Sequence, residues 1–126
     1  MSSAGDEACV LVVDDEDDVR DALREAVEMI GCSAITAANG AEALEVIRTQ
    51  RPCLVVLDLL MPVMTGHELL EELAQRPELA DVRVLVSTSA PGRAPAGVDV
   101  LPKPIDIEKL WEWMRRSCAC AAGSKH

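Results

Sequence analysis

Two stretches, "VLVV" at Val10 to Val13 and "LVVL" at Leu54 to Leu57, each place four aliphatic residues in a row without polar alternation. A strand with one wet face alternates apolar and polar side chains, so an unbroken run of this length predicts a strand buried on both faces. Three further runs, "SAITA", "VRVLVSTS" and "VDVLPKP", have the length and composition of strands. Between the runs lie segments with helical periodicity. In "DVRDALREAVEMIG" the residues Val19, Ala22, Leu23, Ala26, Val27 and Ile30 share one face before Gly31 stops the helix. The segments "AEALEVIRTQ", closed by Arg51-Pro52, and "HELLEELAQ" follow the same pattern, as does "DIEKLWEWMRRSC" with Asp106 as its N-cap. Strands alternating with helices, and buried on both sides, predict a doubly wound α/β fold around a five-stranded parallel sheet.

Composition limits what such a sheet can be used for. At 126 residues the chain suits one compact domain. It has two Trp and no Tyr or Phe, so the core has to be aliphatic. A net charge of −10 repels nucleic acid, and direct binding to it is not expected. The first ten residues, "MSSAGDEACV", carry two acids and no long apolar stretch, and no run in the chain approaches a membrane span. Together with an odd count of five Cys, this predicts a cytoplasmic protein with reduced thiols and no membrane insertion. Cys9, Cys32 and Cys53 lie in or beside apolar runs and suit small core positions. Cys118 and Cys120 form a single C-x-C with only His126 nearby, which falls short of a metal site. Trp111 and Trp113 stand two steps apart at about 100° per residue, so one is expected to pack beside Leu110 and Met114 while the other is exposed.

Ligands of doubly wound sheets bind at the carboxyl ends of the strands. The first strand here ends in Asp14-Asp15, followed by Glu16, and the third ends in Asp58. In a flavodoxin-like strand order, 2-1-3-4-5, those two strands are neighbours and three carboxylates meet at one rim. Without compensation they repel one another. Mg²⁺ resolves the conflict, because it takes carboxylate, carbonyl and water oxygens in an octahedron. Each residue alone has a plainer reading. Paired acids after a strand cap helices, an Asp or Thr at a strand end satisfies a turn, a lone Lys is solvated, and His67 at a helix start is an exposed polar residue.

Four motifs in order go further than any single residue. "VVDDEDDVR", "LDLLMPVMTG", Thr88 in "VSTSA" and "LPKP" resemble the acidic pair, phosphoacceptor, switch hydroxyl and lysine motifs of the receiver domains of two-component response regulators. The resemblance covers nearly the whole chain. It implies that Asp58 accepts a phosphoryl group from a histidine kinase or phosphotransfer protein and that the signal passes on to a downstream protein by contact. It also implies Mg²⁺ bound directly by Asp15 and Asp58, through water by Asp14, and by the backbone carbonyl of Leu60. Lys103 and the mobile hydroxyl of Thr88 would hold the phosphoryl oxygens, and the bond between Lys103 and Pro104 would be cis. Pro62 and Gly66 would shape the loop that lets backbone groups approach the site.

Two departures from the family concern output. Between Thr88 and Lys103 the segment "SAPGRAPAGVDVLP" carries Pro91, Gly92, Pro95 and Gly97, which forbid more than about one helical turn. The family's fourth helix, between its fourth and fifth strands, is therefore expected to be missing or vestigial. Val100 stands where family members usually carry an aromatic residue that follows the switch hydroxyl. The receiver domain is placed at residues 1–122, with a disordered tail at 123–126. The main alternative is a pseudo-receiver that binds a partner without phosphorylation. A flavodoxin-like electron carrier would need a phosphate-cradling loop where "DDEDD" stands, and a haloacid-dehalogenase-type phosphatase would need an acid where Leu60 stands.

Overall fold

The computed structural model describes residues 10–59, 65–79 and 82–117. Five strands, β1 (Val10–Val13), β2 (Ala34–Ala37), β3 (Leu54–Asp58), β4 (Arg83–Thr88) and β5 (Asp99–Pro102), form one sheet in the order β2-β1-β3-β4-β5. Every pairing is parallel. Four helices pack on it: α1 (Asp17–Met29), α2 (Gly40–Gln50), α3 (Gly66–Ala74) and α4 (Ile107–Ser117).

The unbroken aliphatic runs are explained by two separate cores. Val10, Val12, Leu54, Val56, Leu85 and Leu101 project to one face, where Leu23, Ala26 and Val27 of α1 and Leu110 and Met114 of α4 cover them. Leu11, Val13, Val55 and Leu57 project to the other, against Ala43 and Ile47 of α2 and Leu69 of α3. Successive strand residues point to opposite faces, so a strand between two helix layers has no position left for a polar residue. Each fully buried Val or Leu contributes about 1.5–3 kcal/mol of transfer free energy. The acids can appear only where the strands end.

Helix boundaries follow local chemistry. Asn39 caps α2 by accepting from the Glu42 N–H at 2.9 Å, while the Glu42 carboxylate accepts from the Ala38 N–H at 3.1 Å. Arg51 ends that helix in the left-handed region at φ 49°. Asp106 accepts from the Glu108 N–H at 3.0 Å and its carbonyl accepts from the Leu110 N–H, so it caps α4 as expected. Between β4 and β5 there is only a 3-10 turn at Pro91–Arg93, and the helix expected to be missing is indeed absent from this segment.

Three expectations need correction. Ala22 is exposed although it shares the apolar stripe of α1, because it borders an open groove between α1 and the chain leading into α4. The two Trp do not divide into one buried and one exposed, since both are half-buried on the flanks of α4 and pack against the α1-side core. The Trp111 indole N–H donates to the Ala26 carbonyl at 2.9 Å, and the Arg116 guanidinium lies 4.7 Å from the centre of the Trp113 ring. Cys32 is buried as expected but disulfide-bonded rather than reduced, and Cys53 is half-buried against the same core. Cys9, Cys118, Cys120 and His126, and the expected tail at 123–126, lie outside the described residues.

The indole bond links α4 to α1 across one core. Trp111→Phe keeps most of the apolar contact and removes the N–H, so urea denaturation should show a loss of about 1 kcal/mol. Trp113→Phe, which breaks no such bond, should lose less.

Candidate functional site

The register of β1 and β3 builds the site. Val13 pairs with Leu57, so the next residues, Asp14 and Asp58, emerge side by side at the carboxyl edge. Both have the parity of Val12 and Val56 and leave the sheet on the side covered by α1 and α4. Asp14 and Asp58 are buried, at 1% and 7% exposure, while Asp15 is exposed. Carboxylate oxygens of all three lie within 4.8 Å of one another.

Lys103 reaches this cluster from the far edge of the sheet. Its backbone N–H donates to the Thr88 carbonyl at 2.9 Å, which ties the chain after β5 to the end of β4. The Lys103–Pro104 peptide bond is cis. From there the side chain carries its ammonium to Asp14 Oδ2 at 2.8 Å and to within 3.7 Å of Asp58 Oδ1. Burial alone would lower the lysine pKa. The hydrogen bond to Asp14 and the charges of Asp14, Asp58 and Glu16 outweigh it and raise the pKa above its ordinary value of 10.5.

The donor set suits a small hard cation. It consists entirely of oxygen, with two buried carboxylates and one open to solvent. Both oxygens of Asp14 are already engaged, Oδ1 by the Glu16 N–H at 2.9 Å and Oδ2 by Lys103. Leu60, whose carbonyl the resemblance implies as a further ligand, and Pro62 lie outside the described residues.

Thr88 is buried at the end of β4, and its hydroxyl oxygen accepts from the Ala90 N–H at 3.0 Å. That is the strand-end turn of the plainer reading. The hydroxyl is thus bonded to its own loop rather than drawn to Asp58. His67 is exposed at the start of α3. Arg20, which the sequence reading passed over, donates from Nη1 to the Asp14 carbonyl at 2.7 Å and pairs through Nη2 with Asp17. It clamps the acidic loop from the first turn of α1. Its sequence signal is modest, a single basic residue closing the run "DDEDDV".

The backbone beside Asp58 is shaped by Gly66. Its N–H donates to the Leu59 carbonyl at 3.0 Å, and a Cβ there would lie 2.6 Å from the Asp58 carbonyl oxygen and 2.7 Å from Leu59 Cα. Thr65 precedes it and forms a capping box with Glu68, with the Thr65 hydroxyl accepting at 3.1 Å and the Glu68 carboxylate at 2.8 Å. The chain enters α3 hard against the end of β3, where only a glycine fits.

Gly66→Ala must displace backbone rather than a flexible side chain. It should destabilise the protein by about 1–3 kcal/mol in denaturant titrations. Lys103→Met tests the charge compensation without divalent cation. A raised lysine pKa contributes stability in full below the unfolded value and loses it as pH rises through the folded value. The gap between parent and Lys103→Met should therefore be constant near neutrality and close in strongly alkaline solution. A gap that persists unchanged in strongly alkaline solution would contradict the lysine charge as its source.

Comparison with known proteins gives the family of this fold. The family described as "Response regulator receiver domain" matches residues 10–115. The response regulator MprA of Mycobacterium sp. (strain KMS) is 37% identical over 111 residues, covering 84% of this chain and 48% of the relative. That of Mycobacterium avium (strain 104) is 36% identical, with 84% and 49% covered. The chain thus spans about half the length of the curated relatives it matches. Among solved structures, the chemotaxis response regulator CheY4 of Vibrio cholerae superposes with a TM-score of 0.78 at 28% identity, covering 88% of this chain and 98% of the other. A response regulator receiver protein from Pseudomonas putida gives 0.75 at 31% identity, covering 85% and 94%. Sequence and topology agree, and the chain belongs to the response regulator receiver domain family.

Proposed function

We propose that Asp58 is the phosphoacceptor of this receiver domain and takes its phosphoryl group from the phosphohistidine of a histidine kinase or phosphotransfer protein. The observation that carries the reading is the placement of its carboxylate. Asp58 is buried at the end of β3, grouped with Asp14 and Asp15, and has the Lys103 ammonium 3.7 Å away. Phosphoryl transfer needs an in-line nucleophile and fixed positive charge more than covalent help from the protein. An Asp58 oxygen attacks phosphorus, the N–P bond breaks, and the imidazole departs with the electron pair.

Asp15 and Asp58 would hold Mg²⁺ directly and Asp14 through water, and the ion would supply charge neutralisation to the transferring group. Lys103 supplies a second positive charge, and its ammonium can leave Asp14 for a phosphoryl oxygen. The Thr88 hydroxyl, which now accepts from Ala90, still has its own proton to donate. A groove of about 280 Å³ supports the choice of partner. Val19, Ala22 and Leu23 of α1 line one wall, and Pro104, Ile105 and Ile107 the other, with Lys103 at its border. An apolar ridge seated there would bring its own histidine to the rim of the site. Action in the cytoplasm, where phosphohistidine is made from ATP, belongs to the same proposal. Among the described residues no helix is long and apolar enough to cross a membrane.

With Mg²⁺ and a small phosphodonor, intact-mass measurement should show one added phosphoryl group, absent from Asp58→Asn. Mg²⁺ alone should raise the melting temperature of the parent by relieving carboxylate repulsion, and should do so much less for Asp15→Asn. Equal labelling of Asp58→Asn would remove Asp58 from its role. A parent that is never labelled would favour a phosphorylation-independent interaction module.

A further inference from the structure

Ser87 has no part in the site as described so far. It lies on β4 in register with Asp58 on β3 and with Leu101 on β5. Register partners in a parallel sheet project from the same face, and Leu101 belongs to the core beneath α1 and α4. Ser87 therefore shares a face with Asp58, and Lys103 follows two residues after Leu101. The lysine starts beyond β5 and ends on Asp14 beyond β1, so its stem crosses β4 and β3 on the way. Ser87, near the end of β4 on that face, is on one of the two strands to be crossed.

The residue is 1% exposed, and its hydroxyl oxygen has no hydrogen-bond partner. A dry, unpaired hydroxyl is unfavourable, and alanine or valine would fill the same strand position without that penalty. The Lys103 ammonium has three N–H donors and places one on Asp14, while Asp58 at 3.7 Å is beyond hydrogen-bond length. An unpaired acceptor thus shares a sheet face with Asp58, on the side of the sheet that a cation with donors to spare has to cross.

We propose that Ser87 is a positioning residue whose hydroxyl becomes paired only when Asp58 carries a phosphoryl group. This rests on the phosphoacceptor reading of Asp58. New negative charge on β3 draws the ammonium away from β1, and the retreating lysine folds back over β4. There Ser87 Oγ accepts from a second Lys103 N–H, and its own proton turns to the side-chain oxygen of Asp58. A bond made only in the loaded state stabilises that state over the resting one. Ser87 thereby helps hold Lys103 on the phosphoryl group.

Thermal melts of the full chain in Mg²⁺, titrated with beryllium fluoride as a phosphoryl mimic, test this. The mimic should raise the melting temperature of the parent. Ser87→Ala should melt at or above the parent when unloaded, yet bind the mimic about three- to tenfold more weakly. In a Lys103→Ala background the same change should have no further effect, since the lysine is the partner. An unchanged affinity, a lower unloaded melting temperature, or a loss that persists without Lys103 would each overturn the inference alone. A parent that ignores the mimic would overturn the phosphoacceptor reading and this inference with it.

Discussion

The pairing of β1 with β3 is the constraint from which the rest follows. Both strands are buried on both faces, with no exposure above 1% from Val10 to Val13 or from Leu54 to Leu57, so neither can shift register without moving aliphatic side chains into the wrong layer. The register that satisfies both cores is the one that sets Asp14 beside Asp58. Apolar packing thus determines the separation of two carboxylates that would otherwise repel. The energy of the core is used to hold an electrostatically unfavourable arrangement in place.

Lys103 makes that arrangement tolerable. Buried charge is costly unless it is paired, and the lysine pairs with Asp14 at 2.8 Å while remaining near Asp58. It is supported at both ends, by its backbone bond to the Thr88 carbonyl and by Asp14, whose carbonyl Arg20 in turn clamps. One cation balances three acids only in part. The residual negative charge suits a divalent ion, and the single-bonded ammonium suits a shift to a new anion.

The region between β4 and β5 departs most from the family pattern. A 3-10 turn replaces a helix, Val100 is half-buried and aliphatic, and the Thr88 hydroxyl is bonded to its own loop. Breaking one bond between Thr88 and Ala90 frees both a hydroxyl and the start of that loop. Proline and glycine leave the segment with few internal hydrogen bonds, so its rearrangement costs little.

Much of this was legible in the chain itself, for identifiable reasons. Unbroken aliphatic runs specify strands buried on two sides, helical periodicity supplies the layers between them, and acids placed at the strand ends mark the edge where a ligand binds. The dense proline and glycine after Thr88 likewise leave no room for a helix on local grounds alone. Period and composition act locally, so the sequence determined the elements, their order and the chemical character of the site. Tertiary structure decided the pairings. Lys103 favours Asp14 over Asp58, Arg20 clamps the acidic loop, Thr88 turns to Ala90, both Trp sit half-buried, Ala22 opens onto a groove and Ser87 is left without a partner. Each depends on which strand lies next to which and how far a side chain can reach across the sheet, and those distances exist only once the two cores have closed.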